Sequence, residues 1–114
     1  MPLPPCPVAG CGLSVDIALR SSDRVLIGAH KANLELYGEA FPPADAFRGQ
    51  DGPEIVELSE HGDTLKLLLH FMHKNRYPDT SSLDARAFYA LAEAAGKYEV
   101  YSAMAVCVER MLSM

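Results

Sequence analysis

Cysteine and histidine are the residue types in this chain that could support metal binding or nucleophilic chemistry, and it has three cysteines and four histidines. A zinc ion needs four converging thiolate or imidazole donors. The pairs with suggestive spacing are Cys6-x4-Cys11 and His70-x2-His73, with His30 and Cys107 elsewhere. Three apart on one helix, His70 and His73 could share a face, but no neighbouring cysteine, aspartate pair or Glu-x-x-His completes a site. Cations near a helix carboxyl end are favoured by ~0.3 to 1 kcal/mol. The pair is therefore expected to be solvated and dipole-complementing, with no metal and no cofactor. A small metal-binding domain built on His70, His73 and a cysteine is the alternative.

Nucleophilic catalysis at Cys107 would need an adjacent base and an electropositive setting. Its surroundings, Ala103-Met104-Ala105-Val106-Cys107-Val108, are apolar, which suits a small buried hydrophobe. No Gly-x-Ser-x-Gly elbow and no Gly-x4-Gly-Lys loop occurs. Gly10-Cys11-Gly12 lacks both the preceding strand and the third glycine of a nucleotide fingerprint. The run His73-Lys74-Asn75-Arg76-Tyr77 has too few fixed positive charges to hold nucleic acid. No catalytic residue is assigned, and a nonenzymatic protein is expected.

These residues must be placed by the elements around them. Residues 1 to 12 (MPLPPCPVAGCG) hold four of the eight prolines and no charge, and are expected to form a flexible Pro/Gly-rich tail ahead of a domain over 13 to 114. Apolar residues then alternate at Val15, Ile17 and Leu19 and at Val25, Ile27 and Ala29, the signature of a β-hairpin with one face on a core. His30 to Tyr37 reads as a short helix, with Gly38 placed as a left-handed cap. Residues 42 to 53 read as loop with one helical turn near Ala44 to Phe47, and Glu54 to Leu58 as a third strand.

From Asp63 the spacing Leu65, Leu68, Leu69, Met72 marks an amphipathic helix, with Leu67 and Phe71 widening its apolar face and Pro78 ending it. Ser81-x-x-Asp84 resembles a capping box before a helix from Leu83 to about Ala95, which turns Leu83, Ala87, Phe88 and Leu91 inward. Val100 to Met114 supplies the last helix.

The 114 residues carry a net charge of −5, with 49% hydrophobic and 22% charged residues, and a pI near 5.2. These values fit one globular domain and disfavour polyanions as partners, so neither nucleic acid nor a membrane surface is expected. Beyond the Pro/Gly-rich opening residues 1 to 13, the longest stretches without a polar side chain, Ala87 to Ala92 and Ala103 to Val108, fall far short of the roughly 20 residues that span a bilayer. The first charged residue is Asp16, so the amino terminus has no basic signal region. An odd cysteine count matches no disulfide framework. An intracellular location, cytoplasmic or nuclear, is expected.

If Leu19 pairs with Val25, Asp16 stands opposite Gly28, and Lys31 leaves the second strand beside it. Asp16 and Lys31 then form either a surface ion pair or a charged pocket next to an interaction surface.

The run Asp16-Ile17-Ala18-Leu19, then Arg24 to Lys31 ending in Ala29-His30-Lys31, then Leu34 and Phe41, resembles the opening of a BTB/POZ domain. Val56-x-Leu58, the leucine-rich helix, and Leu91-Ala92-x2-Ala95-x-Lys97-Tyr98-x-Val100-x6-Cys107 resemble its later part. The likeness runs over about residues 14 to 112. Phe41-Pro-Pro-Ala-Asp45, Phe71-Met72-His73 and Tyr77-Pro78-Asp79 resemble the subset common in fungal proteins.

The resemblance implies an α+β fold, a three-stranded sheet flanking a cluster of about five helices. It also implies a protein–protein interaction module for homo- or hetero-association, a scaffold or adaptor, and in some members a cullin-type ubiquitin-ligase adaptor. Asp16 and Lys31 match the charged pocket of dimeric members, and His30 a mostly structural histidine. Tyr37 and Phe41 are candidate interface residues. Two departures stand out. The Pro/Gly-rich residues 1 to 12 do not suit the exchanged amino-terminal strand of many dimers, and Phe47 to Gly52 has no hydrophobic-x-Glu cullin element. The chain is expected to hold no helical extension or partner domain after its last helix.

Overall fold

A computed structural model describes residues 4–8, 11–38, 55–73 and 80–112. The alternating segments form β1 (Ile17–Arg20) and β2 (Leu26–Ala29), and a third strand, β3 (Ile55–Glu57), joins them in the order β2-β1-β3. β1 is antiparallel to β2 and parallel to β3. Ile17, Leu19, Ile27 and Ala29 point into the main core, while Ala18, on the opposite face by alternation, is also buried. The second face is covered by the amino-terminal segment at Gly28, where an added Cβ would meet the Pro4 carbonyl oxygen. The expected one-sided sheet is thus covered on both sides here.

The hairpin register differs from the expected one by two residues, pairing Leu19 with Ile27 and Ala18 with Gly28. The reason lies in the turn. Arg24 N–H donates to the Ser21 carbonyl at 3.0 Å, and Arg24 itself has φ 64°, so a tight turn is followed by a left-handed residue. This is a three-residue hairpin loop of the kind that adds a bulge. Ser21 N–H then pairs with the Val25 carbonyl, and the Ser21 hydroxyl accepts the Val25 N–H at 2.9 Å.

Four α-helices and one 3-10 turn, Thr80–Ser82, follow among the described residues, against about five helices expected. They are α1 (Lys31–Tyr37), α2 (Gly62–His70), α3 (Ala85–Lys97) and α4 (Tyr101–Leu112), with α2 packed on α3 and α3 on α4. Gly38 is not a left-handed cap: its φ of −128° is extended, and it bridges to Val100. The α2 helix stops at His70, well before Pro78. Phe71, Met72 and His73 are consecutive and all buried, which no one-sided helix allows, and they form a turn closed by the Phe71 and Met72 N–H groups on Leu68 and Leu69 carbonyls. The Ser102 hydroxyl of α4 donates to the Phe71 carbonyl at 2.9 Å, satisfying a helix-end acceptor from outside.

The α3 helix begins two residues later than expected because Asp84 itself is the N-cap, its carboxylate accepting the Ala87 N–H at 2.8 Å. It ends in a Schellman arrangement. Val100 N–H reaches the Ala95 carbonyl at 3.0 Å while Glu99 takes φ 54°. Arg110 of α4 lies 4.3 Å from the Phe88 ring centre and donates to the Leu83 carbonyl at 2.9 Å, tying α4 to the start of α3. No described helix is long and apolar enough to cross a membrane. The basic run Lys74 to Tyr77, the helical turn near Ala44 to Phe47 and the loop around Phe47 to Gly52 lie outside the described residues.

Candidate functional site

The amino-terminal segment brings its two cysteines to the body of the domain. Gly28 N–H donates to the Pro5 carbonyl at 3.2 Å, Val8 is 4% exposed, and Cys11 N–H donates to the Val8 carbonyl at 3.2 Å. Cys6 and Cys11 are thereby set, half-buried, against two buried histidines. His30 stands between β2 and α1, and His73 comes from the turn after α2. The donor atoms of Cys6, Cys11, His30 and His73 all lie within 4.8 Å of one another.

Cys11 Sγ is 3.3 Å from Nε2 of both His30 and His73, and Cys6 Sγ is 3.5 Å from Nε2 of His73. Each ring is fixed from behind. His30 Nδ1 donates to the Ser14 carbonyl at 2.7 Å and His73 Nδ1 to the Leu69 carbonyl at 2.8 Å. Because a carbonyl only accepts, these bonds hold the proton on Nδ1 and turn the Nε2 lone pairs toward the sulfurs. The rings meet edge to face, with centroids 5.4 Å apart. Burial pushes the Cys6 thiol up, offset in part by the Val8 backbone and reinforced by the neighbouring Cys11.

Sequence spacing pairs His73 with His70, but the turn at Phe71 separates them. His70 stays at the end of α2, its Nδ1 donating to the Lys66 carbonyl at 2.7 Å, while His73 points inward and is 7% exposed. The partner of His73 is His30, which has no other candidate metal ligand at short sequence spacing. Cys107 is 2% exposed and burial pushes its thiol up, as expected of a small core residue.

Asp16 and Lys31 do meet, through the backbone. Asp16 Oδ1 accepts the Lys31 N–H at 2.8 Å, capping α1, whose own N-cap residue His30 makes no side-chain cap. Asp23 does the same for α2. Its carboxylate takes a bond from the Ser21 hydroxyl and the Gly62 N–H at 2.9 Å, and these, the hydroxyl first, hold its carboxyl below the usual range. Two aspartates at the ends of the hairpin thus seat two helices. Tyr37 is half-buried against the core, whereas its neighbour Leu36 is 73% exposed. Phe41 lies outside the described residues.

A cluster joins the loop before α2 to the end of α3. The Tyr98 hydroxyl donates to Glu60 Oε1 at 2.5 Å and Lys97 Nζ to Oε2 at 3.0 Å, while the Ser59 hydroxyl accepts from Lys97 at 2.7 Å. Burial works against the Glu60 carboxylate, but the tyrosine and lysine outweigh it and hold the carboxyl below its ordinary range. Burial, then the Glu60 contact, pushes Tyr98 well above an ordinary phenol.

The Glu60 contribution is present above its unfolded value of about 4.3 and is lost as pH falls through the lower folded value. That of Tyr98 is present below about 10 and is lost as pH rises toward the higher folded value. Tyr98→Phe is therefore expected to lose roughly 1 to 2 kcal/mol at neutral pH. Urea melts should show that difference shrinking as the pH falls below the ordinary carboxylate value of about 4.3 and through the lower folded value, where Glu60 becomes neutral.

A three-stranded mixed sheet flanked by helices, opened by the Asp16 hairpin and closed by the α3–α4 pair, defines a BTB/POZ-like α+β fold. Among solved structures, the chain is similar to the BTB domain of zebrafish PATZ1, at 20% identity and a TM-score of 0.68, over 88% of this chain and 77% of that one. No protein-family model matches the sequence, and no curated protein does.

Proposed function

We propose that this chain is a protein–protein interaction module that associates with a second copy of itself. The observation that carries the reading is the BTB-like fold spanning nearly the whole chain. Exposed apolar side chains give it surfaces to use: Leu36 on α1, and Tyr101, Val108 and Leu112 on α4, where the spacing i, i+7, i+11 places them on one helix face. A contiguous apolar stripe on a water-exposed helix favours burial against a partner. Asp16, by accepting the Lys31 N–H, supports the surface by fixing the start of the helix whose last turn carries Leu36.

Sedimentation velocity over a wide concentration range tests this. A concentration-dependent dimer is expected, and Leu36→Asp is expected to weaken it by about tenfold or more, since a hot-spot side chain contributes upwards of 1.4 kcal/mol. A strictly monomeric species at every concentration would defeat self-association.

A further inference from the structure

We infer that Cys6, Cys11, His30 and His73 form a structural zinc site that clips the amino-terminal segment onto the domain. The donors are two sulfurs and two imidazole nitrogens, a set that selects zinc in tetrahedral geometry. With Zn–S near 2.3 Å and Zn–N near 2.05 Å, a tetrahedron sets sulfur and nitrogen about 3.5 Å apart. The three measured S···N separations, 3.3, 3.3 and 3.5 Å, fall at or just inside that edge length. A disulfide between Cys6 and Cys11 would use up the sulfurs, and both cysteines are free.

The second layer is already in place. Each histidine offers Nε2 and anchors Nδ1 on a backbone carbonyl, the arrangement that fixes the tautomer of a metal-bound imidazole. His30 and His73 are 4% and 7% exposed, so the centre is shielded on the domain side. Binding converts two thiols to thiolates and releases two protons, and the Zn²⁺ charge is then cancelled by the two sulfurs, leaving a neutral group suited to burial. Four protein ligands close the coordination sphere, so the site is structural and leaves no position for substrate.

The test is metal analysis of the full chain purified under reducing conditions, with cobalt reconstitution as a second readout. About one zinc per chain is expected, as is a cobalt form with tetrahedral visible bands and a thiolate charge-transfer band. Cys6→Ser and Cys11→Ser should each weaken binding by more than about 100-fold, the upper end of what losing an outer partner alone does. His70→Ala and Cys107→Ala should leave it unchanged. Because the cysteines lie outside the core, circular dichroism will show whether those variants are folded. Three results would overturn the site: no tetrahedral cobalt spectrum from a folded, reduced chain; zinc retained by the Cys6→Ser, Cys11→Ser double variant; or a Cys6–Cys11 disulfide found by mass mapping under the same conditions.

Discussion

Truncating Phe71 to alanine is expected to remove about 3 to 5 kcal/mol of stability, a large part of the roughly 5 to 15 kcal/mol available to a domain of this size. Phe71 is fully buried, sits at the turn that ends α2, and lies in the cluster formed with Leu65, Leu68, Phe88 and Leu91. Removing the ring takes away its transfer free energy and leaves a cavity that neighbours held by secondary structure can fill only in part. Its carbonyl is held by Ser102 of α4 and its chain leads in two residues to His73, so the loosened turn should also misdirect that imidazole. Urea unfolding gives the magnitude. Leu67→Ala, half-buried one turn earlier, should lose clearly less, and a Phe71→Ala loss below about 1 kcal/mol would contradict this account of the turn.

The same turn shows where sequence reading stops. Hairpin strands and the inward face of α3 are legible because alternation and helical periodicity are local, and Ala-His-Lys with Ala-x-Lys-Tyr-x-Val marks the fold. The end of α2 is not. Phe71 and Met72 extend an apolar stripe just as a continuing helix would, and only the packing of three consecutive buried side chains reveals a turn. The hairpin register is hidden for a related reason: Arg24 adopts a left-handed conformation that no turn glycine announces.

The donor cluster was hidden most deeply. Cys11 and His73 are 62 residues apart, and His30 reaches them from the other side of the hairpin. Spacing rules detect ligands that are close along the chain, whereas here the sheet, the turn after α2 and the amino-terminal segment each bring one part. His70, the residue that spacing favours, is turned away by the geometry that brings His73 in.

Gly28→Val is expected to detach the amino-terminal segment while the domain stays folded. A Cβ at this position would stand 2.2 Å from the Pro4 oxygen and 2.7 Å from the Pro5 oxygen. Both are backbone atoms, so no rotamer change relieves the clash and the segment must move. The position lies in β2, where valine is itself a good strand former, and the core residues Ile27 and Ala29 face the other way.

What the segment gains from ordinary contacts is small. Burying Val8 contributes roughly 1.5 to 3 kcal/mol, and the Gly28–Pro5 hydrogen bond about 0.5 to 1.5 kcal/mol. Ordering the backbone costs about 1 to 2 kcal/mol per residue and offsets much of that gain; in the zinc proposal the four ligands add to the attachment. A side chain at 28 therefore acts on the weakest attachment and carries Cys6 and Cys11 away from the histidines.

Hydrogen exchange should report the release directly. Protection at Val8, Cys11 and residue 28, whose N–H groups meet the Cys6 sulfur, the Val8 carbonyl and the Pro5 carbonyl, is expected to fall by about 100-fold or more, with β1, α2 and α3 unchanged, and zinc content should fall with it. Gly28→Ala carries the same first carbon and should reproduce the effect. Protection retained in both variants would mean that the segment does not cross β2 at Gly28.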